Sequence, residues 1–390
     1  MSFDNHHGIR YLLNKELTEI YATHALQNLA YSMVGIFVPI YLLQVGFQLS
    51  HVFLFYVFVY GVETIFFLFG SRVVSIVGIK HSILISMLLT IIFFTGLYLI
   101  DALISLLPMW AVIPVLAMVF GTSLFFYWFA FHVDFAQSTS TDTEGEQVGI
   151  LQAITTLFSV LGPLIGGFII LLSSFQTLFI IVCSIFLFAS LPLFLSEEVH
   201  TPAHPTMKSF FAPLDRKSRS IYLAEGMRQA TTLVIWPVML YLIAVQVSSM
   251  GLLYSVTNLL LAVFSIVVGK LSDTFRRAPL MRAGALAYGV SLTMRSMFTS
   301  LIGIFTVQSI GAIFFPLLNV PYSSLVYMKA RKHEVSAFII AWQSLFNMGR
   351  VIQMLVALLL VTFYNPAFSA LVVALGIGSL CTLAMAFIGE

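Results

Sequence analysis

Charge is the scarcest property of this sequence. Only 9% of its 390 residues are Asp, Glu, Lys or Arg, where a soluble domain carries roughly a quarter. With 60% hydrophobic residues and a mean hydropathy of +1.02, too little polar surface remains to cover a water-soluble globule, and lipid is the expected solvent. Cysteine is almost absent. Cys183 and Cys381 lie far apart in apolar runs, which excludes a disulfide framework and leaves two small buried hydrophobes. A net charge of +2 gives no argument for nucleic acid. The Gly-x-x-x-x-Gly-Lys-[Ser/Thr] loop, the His-Glu-x-x-His and Cys-x-x-Cys metal spacings and the Gly-x-Ser-x-Gly elbow are all missing. ATP-driven pumping and intramembrane hydrolysis lose support accordingly, and no catalytic residue, metal or cofactor is indicated.

Apolar sequence is what the chain has in quantity. A helix crosses ~30 Å of hydrocarbon with about 20 residues at ~1.5 Å each. Windows of that size predict about twelve transmembrane helices, near residues 20–44, 52–70, 80–100, 108–133, 147–171, 175–195, 220–245, 249–270, 280–299, 302–327, 335–362 and 367–388. The polar N-terminal stretch lacks the short apolar core of a cleaved signal peptide. Lysine and arginine cluster in alternate connections: Arg10 and Lys15, Arg72 and Lys80, Lys208 to Arg219, Lys270 to Arg282, and Lys329 to Lys332. The intervening connections have none, so both termini and the long polar connection are expected in the cytoplasm. That connection, 196–219, divides the chain into an N-terminal unit, 1–195, and a C-terminal unit, 220–390.

The two units echo each other. Ile20-Tyr21 opens a run leading to Pro39 and Tyr41, and Ile221-Tyr222 opens one leading to Pro237 and Tyr241, a shift of about 200 residues of the kind left by internal repeats. Gly121 and Gly311 open the fourth and tenth segments, and Leu157-Phe158 parallels Leu345-Phe346.

Two motifs carry a family resemblance. Gly162-Pro163-Leu164-Ile165-Gly166-Gly167 in the fifth segment resembles the Gly-Pro-x-x-Gly-Gly stretch of the major facilitator superfamily. Gly269-Lys270-Leu271-Ser272-Asp273-Thr274-Phe275-Arg276-Arg277 resembles its Gly-x-x-x-Asp-Arg-x-Gly-Arg-Arg cytoplasmic turn, with Thr274 and Arg276 replacing the inner Arg and second Gly. The first-half counterpart is poorer, since Val74 stands where the acid belongs. The chain is similar to this family over essentially its whole length. The resemblance implies an all-α integral membrane protein of about 12 transmembrane helices in two pseudo-symmetric six-helix bundles. It also implies a rocker-switch secondary transporter that binds a small organic or amphipathic solute and protons, sits among lipid as a monomer, and needs no enzyme activity. Proton-coupled efflux is one expectation, because the glycine motif is familiar in exporters. In the bare helix-packing alternative, Gly162, Pro163, Gly166 and Gly167 serve only close helix contact. Short loops suggest a bacterial inner membrane.

A charge at the bilayer centre costs at least ~2.5–3.5 kcal/mol, so each is a functional candidate whose partner should be named. Glu63 and Arg350 lie at matching depths in the second and eleventh segments, which adjoin in the family fold. Either they form a pair that gates the halves, or Arg350 holds an anionic substrate and Glu63 carries a proton, or the pair is static. Glu225 and Arg228 share one face of the seventh segment, at positions matching His24 and Gln27, with Asn28 beside them, on the first. His132 and Asp134 end the fourth segment after Tyr127-Trp128. His132 is a candidate proton or substrate group, and Asp134 is expected to meet Arg72 or Lys80 as a latch. Arg295 is expected to snorkel outward.

Other polar and aromatic residues suit a cavity lining. Trp236-Pro237 breaks the seventh segment; Pro316, Asn319, Pro321 and Tyr322 suggest irregular backbone in the tenth; Gln343 lies in the eleventh. The competing class, a polytopic membrane enzyme or lipid-handling protein without solute flux, wants a cluster of acids, histidines or metal ligands near one face. Only His132 with Asp134 gestures at one.

Overall fold

The computed structural model describes residues 15–138, 144–191 and 214–388. The side chains of 15–21, 135–138, 144–155 and 273–274, and connection 196–213, lie outside the described residues. Among the described residues every regular element is helical. In chain order these are α1 (Lys15–Val34), α2 (Val38–Gln44), α3 (Leu49–Phe69), α4 (Ser71–Val77), α5 (Ile79–Tyr98), α6 (Ile100–Leu106), α7 (Met109–Ser138), α8 (Glu144–Leu172) and α9 (Phe175–Ala189). The second half continues with α10 (Arg216–Ala230), a π-helical turn (Thr231–Ile235), α11 (Trp236–Leu242), α12 (Val247–Thr274), α13 (Arg277–Arg295), α14 (Leu301–Arg331), α15 (Val335–Phe363) and α16 (Ala367–Ile388).

Local chemistry sets several helix starts. Asp215 and Ser300 stand as N-caps, accepting hydrogen bonds from the backbone N–H of Ser218 at 2.7 Å and Gly303 at 3.2 Å. Hydrogen bonds from Ser218 hold the Asp215 carboxyl below the ordinary carboxylate range. Pro237 has no backbone N–H and crowds the carbonyl four residues back. The widened π turn immediately before α11 accommodates it, so the seventh segment continues as helix rather than breaking. The tenth segment departs from expectation in the other direction: α14 runs through Pro316 and Pro321 as one continuous helix.

Eight helices among the described residues are long and apolar enough to cross a membrane, against about twelve expected. That count is of the described residues alone: α8 is 29 residues long, but only Thr156–Leu172 of it is described with its side chains, and α9 ends at Ala189, just before residues outside the description. The seventh segment is divided by the π turn, and α10 carries Arg216, Lys217, Arg219, Glu225 and Arg228. Helix α13 includes Arg277, Arg282 and Arg295.

Within the first half α1 packs on α8 and α9, and α7 on α3 and α5; within the second α10 packs on α15 and α16, and α13 on α14 and α16. The principal joins between the halves are α8 on α12 and α3 on α15. Glycine makes the first join possible. A Cβ on Gly251 would lie 2.4 Å from the Pro163 carbonyl oxygen, and one on Gly166 would lie 2.0 Å from the Met33 oxygen of α1. The motif Gly162-Pro163-Gly166-Gly167 therefore works here as a contact surface between α8 and its two neighbours, α1 and α12.

Candidate functional site: a charged cavity between the halves

A cavity of about 590 Å³ lies between the halves, a size typical of small-molecule sites. Helical stripes line it. His24, Asn28 and Tyr31 recur at helical spacing on α1, with Gly35 just past its end, and Asn319, Ser323 and Tyr327 recur every four residues on α14. Glu225, Arg228 and Gln229 approach from α10, Tyr127, Trp128 and His132 from α7, Tyr60 from α3 and Arg350 from α15.

Arg350 is the hub of the wall between α3, α10 and α15. Its Nη1 donates to Glu63 Oε2 at 3.2 Å and to Asn347 Oδ1 at 2.9 Å, and its Nε donates to Gln229 Oε1 at 2.6 Å. Its guanidinium lies over Phe346 and Tyr60, 4.4 and 4.8 Å from the ring centroids, a cation–π sandwich. Glu63 is fully buried behind it, and its second oxygen Oε1 has no partner among the described residues. The structure thus brings the two charges of matching depth together across the α3–α15 join.

Glu225 and Arg228 form a two-bonded pair one turn apart, Nε to Oε2 at 2.7 Å and Nη2 to Oε1 at 2.5 Å. Phe315 and Tyr288 flank the guanidinium. On the facing side His24 Nδ1 bonds the Tyr127 hydroxyl and stacks on Phe131 with centroids 4.3 Å apart. His132 Nδ1 bonds the Tyr327 hydroxyl at 2.9 Å, and its ring meets Trp342 edge-on at 4.9 Å. These contacts form a histidine and aromatic layer in the cavity wall that joins α7 to α14 and α15.

Several residues read as site candidates lie elsewhere. Gln27 is buried but does not line the cavity; it falls on the shoulder of the stripe that His24 and Asn28 define. Trp236 is buried on the other side of the seventh segment, donating to Gln308 at 2.7 Å. Tyr322 accepts from Trp342 Nε1 at 2.9 Å and faces a separate space near Asp215 and Lys329. Gln343 is buried outside the cavity wall. Of the two bases expected to meet Asp134, Arg72 is exposed and takes part in no ion pair among the described residues, whereas Lys80 is half-buried and Asp134 is buried. Arg276 is exposed, Arg277 donates to Met328 Sδ at 3.7 Å, and a Cβ on Gly269 would meet nothing within 4 Å. The side chain of Asp273 lies outside the described residues.

Arg295 also differs from expectation. It is 6% exposed, with its guanidinium carbon 5.3 Å from the Trp236 ring centroid. Helical side chains lean toward the N-terminus of their own helix. For a residue at the last turn of α13 that direction leads back along the helix, away from the end where snorkelling would release it.

The sequence reading missed Gln229, Tyr31, Tyr60 and Tyr327. Once His24 is placed, the recurrence of 3.6 residues points to Tyr31; from Asn319 it points to Tyr327. Gln229 is signalled only by its place beside Arg228 in a polar stretch of an otherwise apolar chain.

A cavity walled by both halves, with charge pairs buried among apolar helices, defines an integral, multi-pass membrane protein. Its fold is that of the major facilitator superfamily transporters. A solved structure of the E. coli fucose:proton symporter FucP aligns with a TM-score of 0.67 over 97% of this chain and 98% of that one, at 14% identity. The human organic anion transporter TETRAN aligns with a TM-score of 0.63 over 96% and 98%, at 12% identity. No family model matches the chain. In sequence it is 23% identical over 260 residues to an uncharacterized protein of Bacillus subtilis strain 168, YqgE, a stretch covering 62% of this chain and 60% of that protein. The chain thus matches less than two thirds of that relative's length.

Proposed function

We propose that this chain is a secondary transporter that moves a small organic solute across a cell membrane by alternating access. The observation that carries the reading is the 590 Å³ cavity with Glu225, Arg228, Arg350 and two histidines in its wall, contributed by helices of both halves. Apolar packing alone gives no reason to place them there, since each buried charge has a cost that only a partner or a ligand offsets. The chain forms twelve spans in two six-helix bundles, 1–195 and 220–390, joined by a cytoplasmic linker at 196–219. Both termini are cytoplasmic, and the protein works as a monomer in a bacterial inner membrane. The bundles rock about the joins α8–α12 and α3–α15, and the Glu63–Arg350 pair breaks and re-forms across the second. Protons are the coupling ion, with Glu63, His24 and His132 as carriers. The two structural neighbours, a fucose:proton symporter and an organic anion transporter, support a small organic solute.

The test is flux. Purified protein in sealed vesicles loaded with a pH-reporting dye is challenged with sugars, organic acids and amphipathic amines, with and without an imposed pH gradient. Solute-dependent proton movement supports the reading, and the sign of the driving gradient separates symport from efflux. A folded, monodisperse protein that moves none of them in either direction sinks it and favours an enzyme or lipid-handling role.

A further inference from the structure

We infer that the chamber beside Arg295 is a binding subsite for the carboxylate of a monoanionic organic ligand. A space of about 370 Å³ lies between α1, α8, α10, α12, α13 and α14. Its wall includes Arg295 and Tyr254, and it shares Tyr31, Gly35, Arg228, Gln229, Leu261 and Phe315 with the central cavity. The two spaces therefore have a common partition.

Two polar groups in that wall lack partners among the described residues. Arg295 Nε and the Tyr254 hydroxyl are both buried without a hydrogen bond. No described acid forms an ion pair with Arg295. Its guanidinium is instead backed by the Trp236 ring. That indole is itself held rigid, donating to Gln308 Oε1 at 2.7 Å while Gln308 Nε2 donates to Thr257 at 3.1 Å. The arrangement is a fixed cation on a fixed aromatic plate with a hydroxyl nearby.

Charge balance points the same way. Among the described residues of the apolar part of the fold, Arg350 faces Glu63 and Arg228 faces Glu225, while Arg295 faces no acid. An uncompensated buried charge is costly, and one bound anion removes that cost. A guanidinium presents parallel N–H donors that match a carboxylate, and a tyrosine hydroxyl can donate to the same group. Arg350 is the weaker anion site because Glu63, Asn347 and Gln229 already take its donors. The Phe-, Tyr- and Leu-rich partition beside the chamber suits an apolar or aromatic body attached to the acid.

This inference rests on the transport reading, since the chamber adjoins the central cavity on which that reading stands, but its test needs no flux. Full-length protein in phosphatidylcholine nanodiscs is titrated calorimetrically with phenylacetate, indole-3-acetate and octanoate, each paired with its uncharged amide. The expected result is that at least one acid binds about tenfold or more tighter than its amide, the scale of a charge-assisted contact. Arg295→Gln brings that ratio to about one, Tyr254→Phe reduces it a few-fold, and Arg295→Lys keeps part of it. Arg295→Met is the folding control: without ligand it unfolds no more easily than wild type, because it removes an unpaired charge. Equal binding of acid and amide, or no binding by any pair, overturns the assignment. So does a preference that survives in Arg295→Gln, or an Arg295→Met protein that is destabilised yet keeps the preference. Adding phosphatidylglycerol to the discs tests the lipid source; if it displaces the acid at that site, the cation belongs to a lipid phosphate and the solute assignment fails. A protein that binds acids but carries no flux sinks the transport proposal alone.

Discussion

Arg350 on α15 donates to Glu63 on α3 across 3.2 Å, joining residues 287 positions apart in sequence. Each has a different remainder when its partner is lost. Without Glu63, Arg350 keeps Asn347 and Gln229. Without Arg350, Glu63 keeps no ion-pair partner among the described residues and is fully buried.

The two single variants should therefore be unequal. Arg350→Met is expected to destabilise by about 3–5 kcal/mol, the cost of stranding a buried charge, and Glu63→Gln by much less. The double variant should recover most of the loss. Thermal unfolding of the four proteins gives the coupling. If the pair is a gate, the double variant folds but transports more than tenfold slower; if it is a strut, flux recovers with stability.

The histidine and aromatic layer should control access to the cavity. Tyr327→Phe removes the bond to His132, worth about 1 kcal/mol or roughly fivefold in an equilibrium. In a background lacking Cys183 and Cys381, Ser323→Cys reports from the cavity wall. An impermeant maleimide added from the Arg331 side should label it about fivefold faster in Tyr327→Phe. An unchanged rate would show that the layer is not a barrier.

Glycines at close approaches should be intolerant, and the glycine of the family turn should not be. A Cβ on Gly226 would lie 1.9 Å from the Phe346 carbonyl oxygen, at the α10–α15 contact. Gly226→Ala must push these helices apart, costing at least the ~1–3 kcal/mol of overpacking. Gly269→Ala meets nothing within 4 Å and should leave folding and flux intact. Expression level and melting temperature of the two variants separate the cases.

Asp215 caps α10 outside the apolar region, and its carboxyl is held below its ordinary range by Ser218. A lowered carboxyl pKa stabilises the fold above the ordinary value and loses that contribution as pH falls through the folded one. Asp215→Ala should cost about 1 kcal/mol near neutral pH. The gap to wild type should close as the solution becomes more acidic than the ordinary carboxylate range, and Asp215→Asn should cost less. A gap independent of pH would mean that the charge has no part in the cap.

The charged part of the site was legible because the chain has so few charges. Glu63 and Arg350 could be matched by depth, and Glu225 and Arg228 by a one-turn spacing. Aromatic and amide contributors were not legible in the same way. Among 37 phenylalanines and 15 tyrosines residue type does not mark a wall position, and only helical phase picks out Tyr31 or Tyr327. Phase also explains the misplacements: Tyr322 and Gln27 sit three residues from true lining positions, on the shoulders of their stripes. Arg295 was misjudged because distance from a segment's end was weighed without the direction its side chain must lean. The helical class followed from composition, whereas the π turn at Thr231–Ile235 depended on how one proline is accommodated.

The central claim is that the halves tilt about a shared cavity. Double electron–electron resonance with two spin-label pairs tests it most directly, one joining Leu106 to Ile302 and the other joining Ile76 to Phe275 at the opposite end, all four being exposed. Solute or a pH step should widen one distance while narrowing the other. Distances that stay fixed, or that widen together, would contradict the account.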